Sequence, residues 1–451
     1  MDTLIRVAQF MLSLSILVLL HEWGHYITAR MFKTRVEKFY LFFDFLFPFP
    51  TLMNFALFKK KIGDTEWGLG WFPMGGYVKI AGMMDESMDE EALKLPPQPD
   101  EFRSKKAWQR LIIMLGGIIV NLLLAFFIYS FLLYATGKET IPMENAKYGF
   151  VADSLAQSIG FKTGDQIVGY DNKVKFKEAG ISVVVDLLLD DAKNVQIVRN
   201  GQPMTIDIPD YVFPAIVNAR GDIEFLRIAF PSDIDSIEPE SPLYGKMQKG
   251  DKVINVAGQP ITYFAEISPL LKQNRYKTIP VTVLRGTDTV TMQALIPEDA
   301  KLKIQAKSLD NYFDITKTSY TLLQSFPAGF VMCKEILGKY VKQFRIIFSP
   351  RFKGWKQIGG FASMSKQFGS KWDWPAFWMS TAFLSLVLAF MNLLPIPALD
   401  GGHALFTLVE MITGRKPSDK FLEYAQMVGM VFILTLLVVA NGNDILRAFF
   451  K

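Results

Sequence analysis

Only three histidines occur in the 451-residue chain, and two of them, His21 and His25, stand four positions apart with Glu22 between them. On a helix that spacing leaves the imidazoles about 40° apart on one face, where both can bind one divalent ion beside the Glu22 carboxylate. The chemistry such a set supports is metal-assisted hydrolysis, with Glu22 as general base toward water. The bland alternative is a solvated helix patch. It is the poorer reading here, because the string ends a long apolar segment, where ionisable groups are costly and usually functional. The lone cysteine, Cys333, rules out an intrachain disulfide and a cysteine-based zinc cluster.

A zinc ion, Zn2+, needs a further protein ligand and an open position for water. Tyr26 to Met31 supply no third histidine at metzincin spacing, so that ligand must come from elsewhere. The other unusual passage runs from Asn392 through Pro395, Pro397 and Leu399-Asp400-Gly401-Gly402 to His403. Asp400 is the best candidate, with two glycines after it that permit close backbone approach; its competing role is the cap of a helix from His403 to Ile412. Asn392 could donate to a substrate carbonyl or a developing oxyanion, or serve as a polar contact between helices. His403 reads as a neighbour of the site or a structural residue, not a ligand.

These residues need membrane elements to hold them. Half of the chain is hydrophobic and 21% is charged, which excludes a disordered or fibrous protein and points to spans joined to water-soluble parts. Four spans are expected, over about 4–30, 111–134, 374–394 and 421–440, each close to the ~20 residues that cross hydrocarbon. A cleavable signal peptide competes for the first, but charge and aromatics follow it in place of a small-residue cleavage site. Residues 40–58 are as apolar as the spans, yet Asp44, Pro48 and Pro50 interrupt them, so 36–82 is expected to be a re-entrant or interfacial element with β-structure.

Basic residues flank the loop between the first two spans: Arg30, Lys33, Arg35 and Lys38 at one end, Arg103, Lys105, Lys106 and Arg110 at the other. Such loops face the cytoplasm. By alternation the segment from Gly137 to about Lys371 lies outside, and both termini face out. About 17 residues at ~1.5 Å then carry His21 about 25 Å across, near the inner side, where the third span also delivers Asp400.

The outer segment holds a repeat. Tyr148-Gly149-Phe150, Ser154-Leu155-Ala156 and Gly164-Asp165 are followed about 86 residues on by Pro239-Glu240-Ser241-Pro242 and Gly250-Asp251, a period of one small domain. Alternating stretches such as Val195–Val198 and Val281–Leu284 read as half-buried strands. The order of small residue, helix, Gly-Asp and strand resembles PDZ domains, which take a peptide as an added strand. The expected division is 1–136 for the first membrane half, 137–220 and 221–300 for the two PDZ domains, 301–372 for a linker with an amphipathic helix, and 373–451 for the second membrane half. The fold class is thus a multi-domain membrane protein: a four-span α-helical core with a membrane-associated β-element and two β-rich α+β domains.

His21-Glu22-x-x-His25 in the first span, with Asn392, Pro395 and Leu399-Asp400-Gly401, closely resembles the site-2 protease family of intramembrane zinc metalloproteases. Val36–Phe39, Phe72-Pro73-Met74-Gly75-Gly76-Tyr77-Val78-Lys79 and Gly116-Gly117-Ile118-Ile119-Val120-Asn121 resemble its bacterial regulator of sigma-E protease branch. The likeness covers nearly the whole chain. It implies zinc on His21, His25 and Asp400, Glu22 as catalytic base, Asn392 near the substrate, and Gly75, Gly76 and Tyr77 in a membrane β-element that pairs with unwound substrate. It further implies a bacterial inner-membrane enzyme with its PDZ domains in the periplasm. Its substrates would be single-span proteins, such as anti-sigma factors or remnant signal peptides, already cut once. Ile118 stands where the family often has proline, and residues 40–58 are longer and more aromatic than is usual there.

Besides a bilayer and membrane substrates, the expected partners are peptides or new carboxyl termini at the PDZ domains. Nucleic acid is not among them, since the net charge is only +5 and no basic stripe with stacking aromatics occurs. A catalytically silent PDZ scaffold is the alternative of another class; its mark would be loss of His, Glu or Asp from the site, and all are present. A transporter would show broken helices in two symmetric halves, whereas polar membrane residues gather at one place.

Overall fold

The computed structural model describes residues 2–46, 52–73, 75–83, 96–180, 182–219 and 223–449. Pro48, Pro50 and Met74, named above, lie outside them. The chain divides into two compact units, one of Met1–Thr136, Ser319–Tyr340 and Ile358–Lys451, the other of Gly137–Thr318 and Val341–Gln357.

In the first unit, four helices are long and apolar enough to cross a bilayer: Thr3–Met31, Ala107–Thr136, Trp374–Leu393 and Lys420–Phe449. Local chemistry sets the ends of the third. The Asp373 carboxylate caps it by accepting from the Ala376 amide at 2.8 Å, and Pro375 stands in its first turn. It stops at Leu393, two residues before Pro395. After six irregular residues a shorter helix, Asp400–Thr413, begins, and Gly414 ends it at φ +68° in the left-handed region.

The first two spans touch backbone to backbone. A Cβ on Gly24 would stand 2.3 Å from the Gly116 carbonyl oxygen, and one on Gly116 would stand 2.5 Å from that of Gly24. Small residues let membrane helices approach this closely. At the start of the second span, Arg110 pairs at 2.5 Å with Glu410 of the short helix, tying the Asp400-bearing element to it.

Between the first two spans lies a four-stranded sheet of β1 (Val36–Leu41), β2 (Ala56–Ile62), β3 (Thr65–Gly70) and β4 (Tyr77–Ile80), in the order β2-β3-β1-β4. β1 runs parallel to β3 and antiparallel to β4, with Phe39 opposite both Trp67 and Val78. Val36, Phe39, Val78 and Ile80 pack with Ala29 of the first span and with Ile113 and Met114 of the second. Asp44 is buried here, and the Tyr77 hydroxyl donates to it at 3.0 Å. The helix Leu322–Phe348 passes through Pro327; its first half lies along the second span, with Gly329 seated on Ser130 and Phe326 against Phe126. It is not one of the four apolar helices.

The second unit contains two modules of matching topology. Each has a four-stranded sheet, over Gln166–Tyr170, Val174–Lys175, Asn194–Arg199 and Gln202–Asp207 in the first, and over Lys252–Val256, Gln259–Pro260, Thr278–Arg285 and Asp288–Leu295 in the second. Each also has a two-stranded pair, Phe150–Ala152 with Leu226–Ile228 and Ile234–Ile237 with Ile304–Ala306. These pairings carry the first module's strands past residue 220 and the second's past 300. Separate apolar cores form around Val195 and Ile197 and around Val281 and Val283.

The aspartates of the repeated Gly-Asp do more than make a turn. Arg199 donates through Nε and Nη2 to both oxygens of Asp165 at 2.7 Å, and Nη2 also reaches the Gly160 carbonyl at 2.8 Å. Arg285 holds Asp251 through the same two nitrogens at 2.8 Å and reaches the Lys246 carbonyl at 2.9 Å. Paired, bidentate and nearly buried, each carboxylate fixes its turn to a neighbouring strand.

Candidate metal centre

The last turns of the first span present His21 and His25, both buried, on the side facing the second span. Room for their rings comes from Gly117, where a Cβ would stand 2.6 Å from His21 Cε1 and His25 Nε2. The irregular stretch after the third span then carries Asp400 to the same point. His21 Nε2 lies 3.1 Å and His25 Nε2 3.3 Å from Asp400 Oδ2, and the two nitrogens are 3.3 Å apart. Among the described residues this is the one group of three His, Cys, Asp or Glu side chains placed to share an ion.

These distances suit a metal. Four ligands at about 2.0–2.2 Å around a tetrahedral zinc lie roughly 3.3–3.6 Å from one another, the spacing of this triangle to within a few tenths of an ångström. The hydrogen bonding agrees. His25 Nδ1 is 2.8 Å from the Ile113 carbonyl oxygen, which can only accept, so Nδ1 carries a hydrogen and the neutral ring turns the lone pair of Nε2 to Asp400. A lone pair aimed at a buried carboxylate oxygen is stable when a cation lies between them. Two imidazoles and one carboxylate leave room for a water or a substrate oxygen, as catalytic zinc sites do.

Asp400 is the first residue of its helix, whose cap is Leu399, and no side chain makes a capping bond there. The glycines that follow are needed locally: Cβ atoms at Gly401 and Gly402 would stand 2.3 Å from the Leu394 oxygen and 2.5 Å from the Ile396 oxygen. Asn392 also reaches the centre, its Nδ2 3.1 Å from His21 Nε2. His403 is not in the three-residue group. Its backbone carbonyl accepts from the Thr407 hydroxyl at 2.8 Å.

Glu22 lies on the neighbouring side of the same helix turn, beside the Val78 backbone of the edge strand β4. Gly76, just before β4, permits the approach, since a Cβ there would stand 2.8 Å from Val18 of the first span and 2.7 Å from the Tyr40 oxygen. Gly75 has φ +157°, and the Phe43 ring fills the space beside it. The Tyr77 ring stacks on Tyr40 at 5.3 Å and bonds Asp44, so its side chain braces the sheet while its backbone lies on the edge.

Two contributors escape a reading by spacing. Gly117 has no partner at a fixed interval, although a glycine pair inside a span is itself a signal of close packing. Asn121 is wholly buried, its carboxamide 3.2 Å from His21 Nδ1 and its backbone carbonyl accepting from the Ser385 hydroxyl at 2.7 Å. Its polarity at membrane depth was the available clue.

The chain is similar over nearly its full length to named bacterial proteins. It is 24% identical to the regulator of sigma-E protease of Escherichia coli, the match covering 98% of each chain. It is 26% identical to a protein of Neisseria meningitidis provisionally named a zinc metalloprotease, over 97% of this chain and 98% of that one. A protein of Rickettsia conorii with the same provisional name is 26% identical over 99% of this chain and all of the relative. The profile of peptidase family M50 matches residues 9–436, a range that includes His21, His25 and Asp400, and the chain belongs to this family.

Proposed function

We propose that this protein is a zinc endopeptidase of the site-2 protease type, which cleaves single-span membrane proteins within or near their membrane segment. The observation that carries the reading is the convergence of His21 and His25, at the end of the first span, with Asp400, beyond the third, at mutual distances of 3.1 to 3.3 Å. Membership of peptidase family M50 and the names of the relatives support the reaction class and the metal.

In this reading His21, His25 and Asp400 hold the zinc. When bound, it supplies Lewis acidity toward water and toward the scissile carbonyl. Glu22, beside the Val78 backbone, takes the proton from the attacking water and passes it to the leaving amine. Asn392 donates a hydrogen bond to the oxygen that gains charge. A helical substrate keeps its carbonyls in internal hydrogen bonds and must unwind to be cut; the edge at Gly75, Gly76, Tyr77 and β4 offers the freed backbone new partners. His403 packs beside the site without contributing a ligand.

The two modules of the second unit act in this proposal as PDZ domains, the first extending through Leu226–Ile228 and the second through Ile304–Ala306. They lie on the periplasmic side of an inner membrane and either exclude substrates with large domains or bind a newly made carboxyl terminus. The charge bias of the loops supports that orientation, and the matched Asp165–Arg199 and Asp251–Arg285 clamps support the tandem repeat. The residues from about 307 to 372 link these modules to the second membrane half. Substrates of the anti-sigma factor or remnant signal peptide kind, shortened by an earlier cut, fit a site at membrane depth.

The test is cleavage of a truncated single-span substrate by purified, zinc-loaded protein. Glu22→Gln should lower the rate by about 10²- to 10⁴-fold while zinc stays bound. Undiminished cleavage by that variant would end the proposal.

A further inference from the structure

We infer that Asn121 is a positioning residue for the metal centre: its side-chain oxygen accepts from Nδ1–H of His21 and so holds that imidazole in the tautomer whose Nε2 can bind a metal. The inference rests on the zinc reading above and adds to it the group that prepares its first ligand.

The two histidines are supported differently. His25 has a backbone carbonyl, that of Ile113, 2.8 Å from Nδ1, and this alone sets its tautomer. Near Nδ1 of His21 the corresponding partner is the Asn121 carboxamide at 3.2 Å. For Nε2 of His21, turned to Asp400 and His25, to bind a metal, Nδ1 must carry the hydrogen and needs an acceptor. An amide NH2 in that place would set donor against donor. The two ends of a carboxamide have the same shape and are told apart by their partners. The Asn121 oxygen, placed away from His21, is buried without a hydrogen-bond partner. Turning the amide over gives that oxygen the imidazole hydrogen and moves the NH2 into the space the oxygen held. One polar end is unpaired either way, so the imidazole decides the orientation, and a metal-ready His21 selects the oxygen.

The carboxamide is well placed for this. Asn121 is wholly buried in the middle of the second span, and the Ser385 hydroxyl of the third span holds its backbone carbonyl at 2.7 Å. The second and third spans thus set the orientation of a ligand on the first. Outer partners of metal-bound histidines contribute about 10- to 100-fold in metal affinity.

The experiment is a competition between the purified full-length protein and a zinc chelator. Asn121→Leu, close in volume but without an acceptor, should raise the zinc dissociation constant about 10- to 100-fold. Asn121→Asp, which keeps an acceptor oxygen, should stay within about threefold of the unmodified protein, a rescue that packing alone would not produce. Equal affinity in the Leu variant, or an Asp variant as weak as Leu, would overturn the inference. Should Asn121→Leu not fold, imidazole ¹⁵N shifts of the zinc-free unmodified protein decide, and with three histidines they are readily assigned. The Nδ1–H form of His21 is expected, and the Nε2–H form would refute it. If the unmodified protein takes up no stoichiometric zinc, or His21→Ala binds it equally well, the ligand assignment itself has failed; that result is distinct from a failure of Asn121 alone.

Discussion

Gly24 and Gly116 meet so closely that a methyl group on either would stand within 2.5 Å of the other's carbonyl oxygen. One residue on, Gly117 faces the two imidazoles of the first span. The contact that joins the first two helices and the space that admits the two imidazoles are therefore one feature. In hydrocarbon, where apolar surface gives helices little reason to associate, such backbone contact supplies much of the packing.

Substitutions at these glycines should separate two effects. Gly24→Ala forces the spans apart and should destabilise the protein by about 1–3 kcal/mol, measured as a lowered thermal midpoint. Gly117→Ala places a methyl against His25 Nε2 and should abolish stoichiometric zinc, read by metal analysis. A Gly117→Ala protein that still holds one zinc per chain would contradict the geometry of the centre.

Metal removal should cost stability as well as activity, because in the proposed centre the ion binds only the folded arrangement of three residues from distant parts of the chain. At a hundredfold excess of free zinc over its dissociation constant the linkage is about 2.7 kcal/mol. Chelation should lower the melting temperature, and zinc should restore it. Magnesium should not, since it prefers six oxygen ligands over a site with two imidazoles.

The fourth span touches the site at one tight point. A Cβ on Gly429 would stand 1.8 Å from the carbonyl oxygen of Pro397, in the stretch that delivers Asp400. Gly429→Val should displace that stretch and weaken zinc binding, although residue 429 is no ligand. The same substitution at Gly442, which has open space around it, should leave zinc affinity unchanged.

Acid should act on the second unit through its clamped aspartates. The Arg285 guanidinium, against the effect of burial, holds the Asp251 carboxyl below the usual carboxylate range. A carboxyl lowered in the folded state adds stability that is complete above its unfolded value of about 3.9 and is lost as pH falls through the folded one. Arg285→Met should therefore lower the midpoint for unfolding of the second module most near pH 7, and the gap to the unmodified protein should narrow toward pH 3. Hydrogen exchange of Lys252–Val256 and Thr278–Arg285 would follow it. A gap that widens on acidification would show that the pair does not carry the effect.

The sequence alone determined what lies within one element or repeats along the chain. The four-residue spacing of His21 and His25, the four apolar runs, the prolines that end the third and the repeated Gly-Asp are local, and each has a period or a breaker that can be read. The charge bias even brought Asp400 to the same membrane face as the histidines. Only the tertiary structure decided that its oxygen lies 3.1 Å from His21, that Val78 comes beside Glu22, that Asn121 lies beside His21, and that Leu226–Ile228 pairs back to Phe150–Ala152. Such contacts join residues far apart in the chain, and they depend on how closely two backbones approach and which buried polar atom still lacks a partner. Neither quantity leaves a spacing in a single sequence, because both arise only when the helices and strands pack.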